Sequence, residues 1–144
     1  MTRLDADLVR RKLAAITRTL AHLAAVEGMT LGEYRADPFR QKGTEKMLQE
    51  VVEAAVDANL HLLRSLGGAV PGDYYESFVA LGRSGVVPMA LAERLAPAAG
   101  LRNRLVHEYE HVDDAIVIRA VGEARQSFRE YAAAIEAFLQ GRNL

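Results

Sequence analysis

The chain has 144 residues, 50% of them hydrophobic and 26% charged, with 18 Lys and Arg against 19 Asp and Glu for a formal charge of −1. That balance fits one soluble globular domain over residues 1–144 and excludes a disordered chain or one that coats nucleic acid by bulk electrostatics. Cysteine is absent, which excludes a disulfide framework, a thiolate metal site and a cysteine nucleophile and suits a reducing cytoplasm. The segment Met1–Asp7 mixes acids with bases and lacks the apolar stretch of a signal peptide. No run approaches the roughly 18 apolar residues of a membrane span, so the expectation is a cytoplasmic protein without membrane contact.

Helical periodicity is almost the only pattern present. Val9, Leu13, Ile16, Leu20 and Leu23 recur at 4-3-4-3 spacing and line one stripe of a first helix, which Gly28 and Gly32 interrupt. A second helix is predicted from about Thr44, as N-cap, to Leu66, with Leu48, Val52, Ala55, Asn59 and Leu62 on its stripe. The turn chemistry of Gly67–Gly72 ends it. Asp73 caps a short third helix through Tyr75, Phe78, Val79 and Leu81, stopped by Gly82 and Gly85. Pro88 fits the first turn of a fourth helix, and Pro97 inside that stretch predicts a kink or break just before it. The fifth helix begins near Asp113 or Asp114 and carries Val117, Val121, Ala124, Phe128, Tyr131, Ile135 and Phe138, the cleanest signal in the chain. The architecture read from these elements is all-α: an up-and-down bundle of four main helices plus one short one.

One window departs from plain bundle chemistry, Leu101-Arg102-Asn103-Arg104-Leu105-Val106-His107-Glu108-Tyr109-Glu110-His111. On the fourth helix Leu91, Leu95, Ala98, Arg102, Leu105 and Tyr109 fall on one stripe, so a guanidinium occupies a position reserved for core residues. Burying it is costly unless it is paired. Two readings stay open: a satisfied structural arginine on a bundle seam or dimer surface, or a phosphate anchor. His107 follows five residues on, turned about 140° around the helix, so it does not stack on Arg102. The pair can converge on a phosphate at a helix edge or face one another across a two-fold axis. Asn103, at i−4 from His107, is placed to orient the imidazole.

Within the same window His107-Glu108-Tyr109-Glu110-His111 matches H-E-x-x-H, in which two histidines one helical turn apart bind zinc and the Glu acts as base. Glu110 stands where such helices carry an uncharged residue, and the next helix begins so soon that His111 is expected in a turn. A third ligand would have to be Glu123 or Glu130, and nothing marks either. Asp57 and His61 on the second helix suit an ion pair, a metal pair or no interaction. Arg10, Arg11, Lys12 and Arg18 make the first helix locally basic, either a solvated face or a track for an RNA backbone. There is no P-loop, Gly-rich dinucleotide turn or serine elbow.

Arg102-Asn103-x-x-x-His107-x-Tyr109 resembles the R-x4-H-x-Y motif of HepT-like proteins, a branch of the HEPN superfamily of small helical proteins. The similarity extends to Met47-Leu48-Gln49-Glu50 with Asp57, Asn59 and His61, and to Pro71 followed by Tyr74, Glu76 and Phe78. It continues through Gly85-Val86-Val87, Leu91-Ala92, Leu95 and Gly100-Leu101, so that it covers about residues 5–140. Leu101 stands where the family commonly has an aromatic, and Lys46 where it often has Arg.

The resemblance implies the toxin of a type VII-like toxin–antitoxin module: a metal-independent endoribonuclease, active as a homodimer whose two motifs line a shared cleft. It implies no cofactor and no metal. The implied partner is a minimal nucleotidyltransferase antitoxin of the MntA kind that adenylylates the motif tyrosine, here Tyr109.

The chemistry of the residues agrees. RNA carries its own nucleophile, the 2′-OH, and a histidine that titrates near neutrality can remove its proton; His107 takes that role. Arg102 offers a planar fork of donors to a phosphate oxygen and to the charge of the transition state. Asn103 supports His107 or phosphate, Arg104 holds a flanking phosphate, and the expected product carries a 2′,3′-cyclic phosphate. Tyr109, two turns from Arg102 on the expected stripe, would carry the bulk and charge of AMP to the mouth of the anion site. The competing readings are a non-catalytic helical subunit that binds a nucleotide or the nucleotidyltransferase, and a zinc hydrolase built on H-E-x-x-H.

Overall fold

In the computed structural model, which describes residues 3–144, seven α-helices and one 3₁₀ turn follow one another with no strand among the described residues. Helix α1 (Ala6–Leu23) starts where the Asp5 carboxylate accepts the Leu8 N–H at 3.0 Å, satisfying an N–H that the first turn cannot. It buries Val9, Leu13, Ile16, Leu20 and Leu23, the predicted stripe.

The stretch read as an interruption around Gly28 and Gly32 contains a short α2 (Leu31–Arg35). Its capping box joins the Thr30 hydroxyl to the Glu33 N–H and the Glu33 carboxylate to the Thr30 N–H. Five residues are too few to show a helical period, so only the cap could have disclosed it. The long second main helix is α3 (Pro38–Ser65), and it begins at Pro38 rather than Thr44. Asp37 caps it and Pro38 occupies the first turn, where a missing N–H costs nothing, while Thr44 lies buried inside it.

Helix α4 (Tyr74–Arg83) is capped by Asp73, whose carboxylate accepts the Glu76 N–H at 2.7 Å. Gly82 lies within it, and the turn falls to Gly85, whose φ of +77° a residue with a Cβ rarely adopts. The expected fourth helix is broken as Pro97 predicts, into α5 (Met89–Leu95) and α6 (Pro97–His107) joined at Ala96. Pro88 precedes the first turn of α5 instead of entering it, with an extended ψ of 140°. A 3₁₀ turn (Tyr109–His111) then leads to α7 (Asp114–Gly141), capped by Asp113.

Helix α3 is the spine: it packs against α1, α4 and α6 and, over shorter stretches, α2 and α7. The core centres on Phe78, Phe128 and Tyr131, fully buried and arranged edge to face with centroids 5.9–6.3 Å apart. Inside it, the Tyr131 hydroxyl lies 2.6 Å from Asn59 Oδ1, and the Asn59 amide donates to the Ser77 hydroxyl at 3.2 Å. That chain satisfies the buried Asn59, whose amide would otherwise be a costly orphan in the core. On α7 the stripe closes with fully buried Leu139, and Phe138 is only partly covered. No helix of the described residues is long and apolar enough to cross a membrane.

Candidate functional site at the end of α6

Arg102 is in a core-pattern position, with 18% of its side chain exposed, and its partners are now plain. Its Nε and Nη2 donate to one oxygen of Glu53 on α3, at 3.2 and 2.9 Å, and its Nη1 donates to Asn103 Oδ1 at 3.3 Å. The guanidinium carbon lies 4.7 Å from the centroid of the Tyr74 ring on α4. A guanidinium carries five N–H donors, so one on each terminal nitrogen has no partner among the described residues. Burial pushes the Glu53 carboxyl up, but hydrogen bonds from Gln49 and Arg102 and the charges of Arg102 and Lys46 outweigh it and hold the group below its usual value. The Glu53 side of the clamp is therefore ionised at neutral pH.

Glu53 and Tyr74 were not singled out as site residues in the sequence. The available signal was a charge bordering the apolar stripe of α3, next to Val52, with an unmatched arginine on another helix.

The other motif residues separate from this clamp. Helix α6 ends at His107 because Glu108 leaves the helical region, with φ −126° and ψ 35°, and Val112 runs extended into the Asp113 cap. Tyr109 therefore does not continue the stripe of Arg102. It opens the 3₁₀ turn with 60% of its surface exposed. His107 is exposed at the last helical position, and Asn103 bonds Arg102 rather than orienting the imidazole. Arg104 is exposed and makes no ion pair with a described residue. Asn103, Arg104 and His107 thus form a polar outer face of α6, and Arg102 is anchored inward behind it.

The same helix end removes the geometry of H-E-x-x-H. His107 closes α6 and His111 sits in the 3₁₀ turn, so the two are not one turn apart on a single helix. Among the described residues no group of three or more His, Asp and Glu side chains is arranged to hold a metal ion. Asp57 and His61 also part: Asp57 pairs with Lys12 at 2.9 Å, and His61 Nε2 accepts the Asp5 N–H at 2.9 Å. The basic face of α1 is in part tied up, because Arg10 pairs with Glu136 at 2.8 Å.

Known proteins resemble this chain in sequence and in fold. Residues 11–135 match the family described as ribonuclease HepT-like. The chain is 35% identical over 139 residues to the tRNA nuclease HepT of Aphanizomenon flos-aquae, covering 96% of this chain and 95% of that one. It is 27% identical over 131 residues to the mRNA nuclease HepT of Shewanella oneidensis, covering 91% and 98%. Its fold superposes with a TM-score of 0.83 on the tri-AMPylated HEPN toxin of Shewanella oneidensis solved in complex with an MNT antitoxin, at 26% identity over 92% of this chain and 99% of that one. YutE of Bacillus subtilis, at 16% identity and a TM-score of 0.83, shares the fold. Matched along most of its length in sequence and in structure, the chain belongs to the ribonuclease HepT-like family.

Proposed function

We propose that this chain is the toxin of a type VII-like toxin–antitoxin module, a cytoplasmic endoribonuclease that cuts RNA without a metal. The observation that carries the reading is the Arg102 clamp: a guanidinium fixed by Glu53 and Tyr74, with N–H donors left over, on the helix that ends in exposed His107. In the proposed reaction His107 takes the proton of a 2′-OH. The 2′-oxygen bonds to the adjacent phosphorus, and the bond to the 5′-oxygen breaks as that oxygen takes up a proton, leaving a 2′,3′-cyclic phosphate and a 5′-OH end. Arg102 neutralises the charge gained at phosphorus, with Asn103 fixing its Nη1, and Arg104 holds a flanking phosphate. Arg102 and His107 project from opposite sides of α6, which favours a homodimer whose two helix ends share one cleft.

Tyr109 suits regulation by a nucleotidyltransferase antitoxin. Its exposed hydroxyl, which bonds no described residue, can attack the α-phosphate of ATP, giving up its proton to solvent, releasing pyrophosphate and leaving AMP on the ring. The attached phosphate and base would repel and occlude RNA with no repacking of the core. The names of the relatives, two nucleases and an AMPylated toxin held by its antitoxin, support both halves of the reading.

The test is cleavage of total cellular RNA by the purified chain in excess EDTA, with its intact mass measured first. Unmodified wild type should cut and leave cyclic-phosphate ends, with His107→Ala slower by about 10²–10⁴-fold. Unmodified wild type that does not cut, or His107→Ala that cuts equally well, refutes the reading. A second reading, a non-catalytic subunit that binds nucleotide through Arg102, is favoured by the separation of Arg102, anchored inward on α3, from exposed His107 on the outer face of α6. It predicts phosphate binding lost in Arg102→Ala and retained in His107→Ala, with no cleavage by either.

A further inference from the structure

We propose that the cavity between α3, α6 and α7 is a nucleobase pocket that selects guanine beside the scissile phosphate, an inference that rests on the ribonuclease reading above. The cavity measures about 190 Å³, somewhat more than the roughly 150 Å³ of an apolar protein cavity that takes up benzene. A flat heterocycle fits it. Val51 and Val52 line it from α3, Leu101 and Leu105 from α6, and Ala120 and Phe128 from α7. These surfaces are apolar and suit van der Waals contact with the faces of a base.

Its polar groups have a definite pattern. Arg104 from α6 and Arg119 from α7 are exposed, line the cavity from facing elements, and pair with no acid among the described residues. Arg94, also in the lining, is neutralised by Glu130 at 2.7 Å. Two free cations at the mouth suit one phosphate, and Arg104 stands on the outer face of α6 that also carries His107. One turn further along α7, Glu123, exposed like the two arginines, is the single acid of the lining, and neither it nor Ser127 bonds another described side chain. An ionised carboxylate only accepts hydrogen bonds. Guanine alone presents two adjacent N–H donors, N1–H and the 2-amino group, on its Watson–Crick edge. Adenine and cytosine place a bare ring nitrogen beside their amino group, and uracil flanks its N–H with two carbonyls, each of which would repel Glu123.

The experiment is calorimetric titration of the purified chain with guanosine 3′-monophosphate and uridine 3′-monophosphate in EDTA, with Glu123→Gln and Ala120→Leu beside wild type. Wild type should bind the guanosine nucleotide about tenfold more tightly, a preference that Glu123→Gln should reduce to about twofold. Ala120→Leu, checked for native helicity, fills the cavity and should weaken both nucleotides about tenfold. Equal binding of the two by wild type, or a preference unmoved in Glu123→Gln, overturns the proposal. So does a loss in Ala120→Leu that coincides with a change from dimer to monomer in sedimentation, which would give the groove to a second copy of this chain. Sequencing of the RNA ends separates the two readings. Cleavage by wild type with no guanine preference sinks the pocket and leaves the nuclease standing. Guanosine binding without any cleavage sinks the nuclease and leaves a nucleotide site.

Discussion

Replacing Glu53 by Gln tests whether Arg102 is held by charge or merely enclosed. Gln keeps an acceptor oxygen and the shape of the side chain, so the change removes the negative charge facing Nε and Nη2, at 3.2 and 2.9 Å. The side chains are 18% and 32% exposed, which places the pair between two regimes. Exposed pairs contribute about 0.2–1 kcal/mol, whereas removing one partner of a fully buried pair costs about 3–5 kcal/mol. Tyr74 retains its cation–π contact in the variant. The expected loss is therefore about 1–2 kcal/mol, or a Tm lower by about 3–6 °C for a chain of this size. A double-mutant cycle in urea with Arg102→Gln should return a coupling of the same size. Acid supplies an independent check. The Glu53 carboxyl is held below its unfolded value, so its contribution is complete above about pH 4.3, the unfolded carboxyl value, and fades as pH falls through the folded one. Wild-type and Glu53→Gln stabilities should accordingly converge toward low pH. Additive single mutants, or a difference that does not shrink in acid, would refute the electrostatic clamp. In the proposed reaction the same variant should lower kcat by about tenfold or more, because the phosphate donors lose their fixed position.

Two glycines should respond to alanine with opposite signs. A Cβ at Gly82 would lie 2.7 Å from Ala92 Cβ and 3.0 Å from Met89 Sδ, so Gly82→Ala should destabilise by about 1–3 kcal/mol despite the better helix former. Gly43, inside α3 with nothing within 4 Å of the added carbon, should gain about 0.5–1 kcal/mol; urea melts of both read the signs. Tyr131→Phe removes the hydroxyl that bonds Asn59 in the core and should cost about 1–3 kcal/mol with the helical content retained. Tyr109→Phe should leave stability within about 0.5 kcal/mol and cleavage intact while abolishing AMP transfer, read by intact mass after incubation with the nucleotidyltransferase and ATP. AMP appearing on that variant would place the acceptor elsewhere.

The helical class, the stripes of α1 and α7 and the break at Pro97 were legible because each rests on repeated spacing or on one residue with a fixed backbone preference. The start of α3 was not. Its first two turns, Pro38–Glu45, include exposed Phe39 and lack a continuous apolar stripe, so Thr44 stood out as a cap when Asp37 and Pro38 were the true signal. The motif shows the same division. That Arg102 needed a partner was readable from its position, but the identity of the partner depends on how α3 and α4 pack against α6. Glu53 lies 49 residues away in the chain, beyond the reach of any local pattern. Extending the stripe to Tyr109 failed because one non-helical residue, Glu108, decides where α6 stops, and Glu is an ordinary helix former.

In the proposed function, that stop lets one short motif serve two ends. On its inner side Arg102 is tied to the fold through α3 and α4, so its position is as stable as the core that holds it. On its outer side His107, at the helix end, and Tyr109, in the 3₁₀ turn, make no side-chain hydrogen bonds to described residues and face solvent. Had α6 continued for another turn, Tyr109 would have followed Arg102 along the buried stripe, where an incoming nucleotidyltransferase could not reach its hydroxyl. Ending the helix at His107 moves the tyrosine to the surface at no expense to the core, since none of its neighbours in the turn is buried. A modification at this point alters the charge and access of the outer face of α6 and leaves the Glu53–Arg102–Tyr74 clamp in place. In the proposed mechanism, removing AMP would restore a site that never lost its geometry.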